Sequence, residues 1–490
     1  MRLTLAFAAA ALPVCQLFSP VLADDAPRPI PVTRPAMKEW IEDVKVRTPR
    51  IPLPELTDEE RQEAGSQAGN YETRLRRHYL QGMNDGRGTG GGDRQAGGRG
   101  AETGGGARGR GERGGEASRR DAEPNMTLDN AFKVELFWIV SRANNCQYCL
   151  GHQESKLLAA GLSEDRIAAL DCDWSKFTDA ERAAYAFARK FSFEPHLLND
   201  ADIAGLKQHY TDMQILEMIL SMSGNNSINR WKEGVGVPQR ADEGGYSRAP
   251  SGAAPLSEQE LARRPRGTYL TPTSPEFESL VSIVAPLAPG AAGETSATLC
   301  DRPPLEAWDT VLKKLQAARQ RESRLPLVDE AEARRIVGEN WDADAPLPNW
   351  VRLLANFPRS GVGRINSTRS ADEHGDLSPL LKAQLSWITA RQDRAWYALG
   401  RAEARLRAEG QSDEQIQALD GDWSSFPAYE RTLFVVAKNL AASPVVLTDA
   451  EVAEAVEAAG PRDVVQTVQF TTTRAAFNRF TEAAGLPLEP

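Results

Sequence analysis

Cysteine is scarce in this chain: five residues in 490, at positions 15, 146, 149, 172 and 300. So few cysteines in so long a chain exclude a disulfide scaffold. Long apolar runs are scarcer. Beyond the first 23 residues, no stretch approaches the roughly 20 apolar residues of a membrane-spanning helix, so no membrane span is expected. Convincing alternation of apolar and polar residues, the mark of a half-buried strand, is also missing. Positive charge is in deficit, with a formal net charge of -10. That balance argues against a nucleic-acid partner for the whole protein, and partners with acidic surfaces are equally disfavoured.

The start of the chain reads as an export signal. Arg2 is followed by an apolar stretch from Leu3 to Phe18, and Val21-Leu22-Ala23 precedes Asp24. That order matches a signal peptide over 1–23, removed on export to the periplasm or outside the cell, and Cys15 goes with it. Four cysteines remain. Outside the cytosol they can persist oxidised, so a redox role needs a reductant supplied from elsewhere.

The length points to two or more domains. Residues 24–85 form an N-terminal extension with proline-rich stretches and one candidate helix near 71–83. Residues 86–122 are glycine and arginine with little else, a composition that buries no core and predicts disorder. A second low-order stretch, 241–304, is rich in Pro, Ser, Gly and Ala and reads as a linker. The segments 123–240 and 305–490 carry helical signals. Ala180, Ala183, Ala184, Phe187, Ala188 and Phe191 fall on one helix face with Asp179 as N-cap, and "MQILEMILSMS" follows Thr211 and Asp212. The fold class expected is all-α.

The two segments are copies of each other. "GLSEDRIAALDCDWSKF" from Gly161 and "GQSDEQIQALDGDWSSF" from Gly410 share ten of seventeen residues at an offset of 249. Chance gives roughly one match at typical composition. The same offset carries Pro195 onto Pro444, Asn229-Arg230 onto Asn478-Arg479, and Gly236 onto Gly485. Two copies are too few for a solenoid and read as a dimer fused into one chain.

The repeat isolates one motif. Cys146-x-x-Cys149 in the first copy becomes Ala395 and Ala398 in the second. Tyr148, Leu150 and Gly151 recur as Tyr397, Leu399 and Gly400, whereas His152 becomes Arg401 and Glu135 becomes Gln384. The scaffold persists while each reactive group is replaced. With Asn144 and Asn145 as N-caps, Cys146 opens a helix and Cys149 follows one turn later, where free amides and the helix dipole lower a thiol pKa. His152 lies on the same face, placed to move a proton. The spacing alone admits a redox pair, half a zinc site, or two structural thiols. Zinc needs more ligands, and "LDCDW" around Cys172 lacks ligand spacing. Features common to both copies read as packing: Trp174 and Trp423, and the two Asn-Arg pairs, which tie a helix end to its neighbour. Cys172 and Cys300 are candidates to clip the linker to the first copy.

Glu135, the Cys146–Cys149 pair and His152 in "ELFWIVSRANNCQYCLGHQESKLLAAGLSEDRI" resemble the redox branch of the AhpD-like alkylhydroperoxidases, of the carboxymuconolactone decarboxylase family. The resemblance covers roughly 128–238, and 377–487 only through the repeat. It implies an all-helical domain that forms homo-oligomers and a peroxiredoxin-type peroxidase working through a dithiol/disulfide cycle. Cys149 then attacks the hydroperoxide substrate, Cys146 resolves, and Glu135 and His152 relay protons. The partners implied are a hydroperoxide and a thiol reductant, with no cofactor and no metal. The family histidine falls four residues after the second cysteine, where this chain has Gln153, and Glu135 stands one residue nearer Cys146 than the common spacing. The alternative is a non-catalytic binding or structural protein on the same scaffold.

Overall fold

A computed structural model describes residues 27–64, 69–81, 83, 123–239, 273–286, 304–338, 341–342 and 344–489. The expected leader 1–23, the Gly/Arg-rich segment 86–122, most of the linker 241–304, and with them Cys15 and Cys300, lie outside these residues. Cys172 is a free thiol, 3.2 Å from the Ala168 carbonyl oxygen it donates to.

Regular structure among the described residues is helical, as the periodicity predicts. Strand-like features among them are isolated bridge residues, such as Thr33, which pairs antiparallel with Val281. The helices that position the site are α1 (Arg34–Asp43), α2 (Tyr71–Tyr79), α3 (Asn130–Ala143), α4 (Gln147–Ala159), α5 (Glu164–Cys172), α6 (Asp179–Phe193), α7 (Asp200–Leu206) and α8 (Asp212–Val235). Past residue 304 come α9 (Trp308–Gln320), α10 (Ser360–Glu373), α11 (Pro379–Asp393), α12 (Trp396–Ala408), α13 (Asp413–Gln417), α14 (Ala428–Ala441) and α15 (Asp449–Ala483).

The sequence repeat is a repeat of structure. Moved by 249, α4 lands on α12 and α6 on α14, within a residue at each end. The long α15 answers both α7 and α8, because Gly460 (φ 79°, ψ 157°) leaves helical conformation and Pro461 begins a second segment. Pro suits the first position of a helix; in the first copy Thr211 caps α8 instead, in a capping box with Gln214. Thr178, and not the expected Asp179, caps α6, because its hydroxyl and Glu181 satisfy each other's backbone amides. Trp174 and Trp423 donate their indole N–H to Leu170 and Leu419 carbonyls, both at 2.8 Å. The recurring tryptophan therefore closes a helix end in each copy.

The copies meet along α8 and α15. Gly234 lies so close that a Cβ there would come within 2.7 Å of the Val468 side chain. The arginines of the two Asn-Arg pairs cross this contact. Arg230 Nη2 donates to the carbonyls of Ala441 and Ala442, each at 3.1 Å, at the end of α14. Arg479 Nη2 donates to the Ser192 carbonyl at 3.4 Å, near the end of α6. Each arginine thus caps a helix of the other copy, satisfying carbonyls that a helix C-terminus leaves unpaired.

The N-terminal extension is built into the first copy, and it too has a counterpart. Arg47-Thr-Pro-Arg50-Ile51-Pro52-Leu53 matches Arg321-Glu-Ser-Arg324-Leu325-Pro326-Leu327, at an offset of 274. Arg50 N donates to Val235 O at 3.3 Å, and Arg324 N to Ala484 O at 2.8 Å. Gln239 N reaches Val44 O at 3.1 Å, and Leu488 N reaches Ala318 O at 2.9 Å. α1 and α9 are therefore the same arm, one on each copy. Buried Met37, Ile41 and Val44 fasten the first arm, each contributing about 1.5–3 kcal/mol of apolar burial.

Gly236 (φ 66°) shows why the arm can dock. It ends α8 in the left-handed region, and a Cβ there would lie 2.9 Å from Arg50 N. Gly236→Ala is expected to destabilise the chain by about 1–2 kcal/mol through positive-φ strain together with displacement of the arm. Urea unfolding of the purified chain measures it, and an unchanged midpoint would remove the close approach from the account.

Candidate active site

The turn between α3 and α4 sets the cysteine geometry. Asn144 continues the αR conformation of α3, and Asn145 turns into the left-handed region at φ 55°. Cys146 is then the N-cap residue (φ -92°, ψ 93°), and α4 starts at Gln147. The expected roles of Asn144 and Asn145 as N-caps are corrected here: they end the preceding helix. Asparagine tolerates αL as well as it caps, so the local sequence permits both. Asn144 Nδ2 donates to Asn226 Oδ1 at 2.9 Å and to Asn229 Oδ1 at 3.0 Å, and Asn145 Nδ2 to Pro29 O at 3.0 Å. In the second copy Arg394 makes the same turn at φ 49°.

Cys146 and Cys149 are free thiols, 0% and 2% exposed. Burial pushes the Cys146 thiol well above its ordinary pKa, and its hydrogen bond with Cys149 and the nearby Glu233 carboxylate push it further. Cys146 is thus held as a thiol. Cys149 lies in the field of two cations, Lys232 and Lys156. Lys232 is buried against its charge, yet Glu72 of α2 hydrogen-bonds it and holds its pKa above the usual lysine value. Its Nζ sits 4.3 Å from the centre of the Tyr148 ring, a favourable cation–π placement. Burial lowers the pKa of Lys156.

His152 rests against Tyr148, with ring centroids 4.7 Å apart. Its Nε2 is buried with no hydrogen-bond partner. Burial, then Lys232 and Lys156, push its pKa down to about 3, so the ring is neutral at physiological pH. Gln153, where the resemblance would place the histidine, is buried and its Oε1 has no partner. Glu135 stands in a different cluster. It accepts from Tyr185 Oη at 2.8 Å and Arg166 Nε at 3.1 Å. Burial raises its pKa despite both donors. The charges acting on Glu135 come from Arg166 and Glu181, those on His152 from Lys232, Lys156 and Glu72. The structure thus gathers Cys146, Cys149 and His152 and gives Glu135 a separate set of partners.

Several neighbours escaped sequence reasoning. Glu233 is buried beside Cys146 and paired with Arg47 at 3.2 Å and Arg28 at 3.4 Å. Its counterpart Glu482 pairs with Arg321 at 2.7 Å and accepts from Trp396 N at 3.1 Å. The doubled Arg-x-x-Arg and the doubled Glu were the signal that would have found them. Among the described residues, no group of three or more His, Cys, Asp or Glu is arranged to hold a metal ion. No described helix is long and apolar enough to cross a membrane.

No protein-family model matches the chain, and no curated protein matches its sequence.

Proposed function

We propose that the chain is an exported thiol peroxidase in which the Cys146–Cys149 pair reduces hydroperoxides. Its scaffold is two AhpD-like helical domains joined as an intrachain pseudo-dimer, the second lacking the cysteines. The observation that carries this reading is the contrast at one place in two copies. Two interacting thiols stand beside two lysines in the first copy, and alanines replace both thiols in the second.

The division of labour follows from the surroundings. Cys149, which faces Lys232 and Lys156, is the attacking group, because burial and the neighbouring Glu233 hold Cys146 as a thiol. Its sulfur takes the terminal oxygen of ROOH, the O–O bond breaks, and the alkoxide leaves as ROH on gaining a proton. The Cys149 sulfenic acid then condenses with the protonated Cys146 thiol, forming a disulfide and releasing water. The Glu233 carboxylate, hydrogen-bonded with Cys146, is the base at hand for the Cys146 proton, and neutral His152 stands on the helix that carries the pair. Glu135, held by Tyr185 and Arg166 in its own cluster, takes no part in this step. An external dithiol or monothiol returns the two electrons.

The burial of both thiols beneath the N-terminal arm favours a second reading, a binding or structural protein with an inert pair. One experiment separates the two. Reduced protein, freed of reductant, is mixed with one equivalent of an organic hydroperoxide, and disulfides are mapped by mass spectrometry. The peroxidase reading expects a Cys146–Cys149 disulfide forming at least about a hundredfold faster than oxidation of a free thiol, and none in Cys149→Ala. Reaction no faster than free cysteine transfers the pair to the structural reading.

A further inference from the structure

The second copy is not an empty version of the first. Where the first copy has Cys149 and Gln153, Ala398 and Ala402 of α12 floor a small cavity with Arg401 and Arg405 on its wall. Arg474, Phe477 and Asn478 of α15 and Ser386 of α11 complete it. Its free space is about 10 Å³, room for one water-sized group such as a single oxygen atom. Under the 249-residue offset, Arg401 stands for His152, Arg405 for Lys156 and Arg474 for Asn225. At this place the second copy has exchanged Cys149 and Gln153 for alanines beside open space and has gained guanidinium groups around it.

Three guanidinium groups converge on a cavity of this size, and the carboxylates near them satisfy only part of the set. Asp372 of α10 takes Arg405 in a two-pronged bond, Nη1 at 2.7 Å and Nη2 at 2.5 Å. Glu489 stands 3.7 Å from Arg401 Nη1, and its Oε1 is already taken by Tyr397 Oη at 2.7 Å and Asn349 N at 2.5 Å. Arg474 is 4% exposed, and its Nε and Nη2 have no hydrogen-bond partner. Its nearest carboxylate oxygen, on Asp372, is 3.5 Å from Nη2. The rings of Phe470 and Phe477, each 5.1 Å from its guanidinium carbon, fix it in place. Lys382 adds a further positive charge near Asp372. A buried cation with free donors is costly unless something binds them.

We propose that the cavity bounded by Arg401, Arg405 and Arg474 is a binding site for a compact monoanion, in the first place the carboxylate head group of a small organic acid. The planar fork of arginine donors matches a carboxylate edge-on. The cavity admits one oxygen of such a head group, with the remainder of the acid left outside it beside half-exposed Arg401. Neither the cysteines nor peroxide chemistry enters the argument, so the site stands or falls independently of the proposed activity.

The test is binding of formate, acetate, chloride and phosphate to the full chain at fixed ionic strength, balanced with a large organic anion. Melting temperature and titration calorimetry are the readouts. The expected result is saturable stabilisation by formate and acetate. Arg401→Gln, at a half-exposed position, is expected to weaken it at least about tenfold, the loss of one charge-assisted hydrogen bond. Arg474→Met is expected to abolish it, and Lys156→Gln in the first copy to leave it unchanged. Saturation by chloride alone would assign the site to a halide and overturn the carboxylate. Equal, non-saturating shifts from all four anions, or shifts that survive both arginine variants, would overturn the site altogether.

Discussion

Arg479→Ala is expected to lower the stability of the chain by about 3–5 kcal/mol, because it leaves a buried carboxylate without its cation. Arg479 and Asp393 are both buried, and Nη1 meets Asp393 Oδ2 at 3.0 Å. The same guanidinium donates to Ser443 Oγ at 2.8 Å and to Ser192 O, across the contact between the copies. Without it Asp393 keeps Asn478 Nδ2 at 3.1 Å, a neutral donor that cannot offset a desolvated charge. The first copy indicates the rescue: its residue at the Asp393 position is Asn144, which accepts from Arg230 Nη1 at 3.3 Å. Asp393→Asn combined with Arg479→Ala is therefore expected to recover part of the loss, while Arg479→Lys, lacking the fork, is not. Denaturant unfolding of the three variants gives the comparison. A loss below about 1 kcal/mol for Arg479→Ala would mean that the crossing arginines do not hold the copies together.

The repeat was legible because α3 to α8 and α11 to α15 keep one ungapped offset, so identities at Gly161, Trp174 and Asn229 reinforce each other. The arms were not legible by the same route. Their offset is 274, since the first copy carries 25 more residues between arm and core, in the stretch that holds the Gly/Arg tract. Only the short Arg-x-x-Arg-x-Pro-Leu run survives as a signal. At the site, the cysteines and His152 were visible because one helix carries them at fixed spacing. Lys232, Glu72 and Glu233 were not, because α2 and α8 bring them in from residues far apart in sequence. The misread turn at Asn144 and Asn145 has a different cause: one side chain serves as helix start and helix stop alike, and the packing of Asn144 against Asn226 and Asn229 selects the stop.

Glu154→Ala is expected to have the second large effect, and to expose the thiols. Glu154 is fully buried on α4, one turn beyond the cysteine pair. It accepts from Arg34 Nη1 at 3.2 Å, Arg34 Nη2 at 3.1 Å, Lys38 Nζ at 2.7 Å and Trp138 Nε1 at 3.0 Å. Arg34 and Lys38 belong to α1, so this cluster, shared with Glu164 of α5, clamps the arm over the site. Removing Glu154 leaves two buried cations facing one carboxylate, a loss of about 3–5 kcal/mol. The pH dependence has a definite sign. Burial opposes the charge of Glu154, but Arg34 and Lys38 outweigh it and hold the pKa at about 2, below the roughly 4.3 of an unfolded glutamate. Its contribution is complete above about pH 4.3 and is lost as the pH falls through about 2. Glu164 shifts upward through burial and the Glu154 charge, so it takes its proton first and softens the early part of that loss. The wild-type chain should therefore lose stability on acidification across this window more steeply than Glu154→Ala, which has no such group to protonate. Docking of the arm has its own readout, the rate at which a disulfide reagent titrates Cys146 and Cys149. Release of α1 should raise that rate at least about tenfold, since a local opening of 1.4 kcal/mol or more becomes unnecessary. A destabilised Glu154→Ala protein whose thiols react no faster would show that Arg47, Arg50 and Tyr71, which also bind the arm to the end of α8, keep the site closed without the clamp.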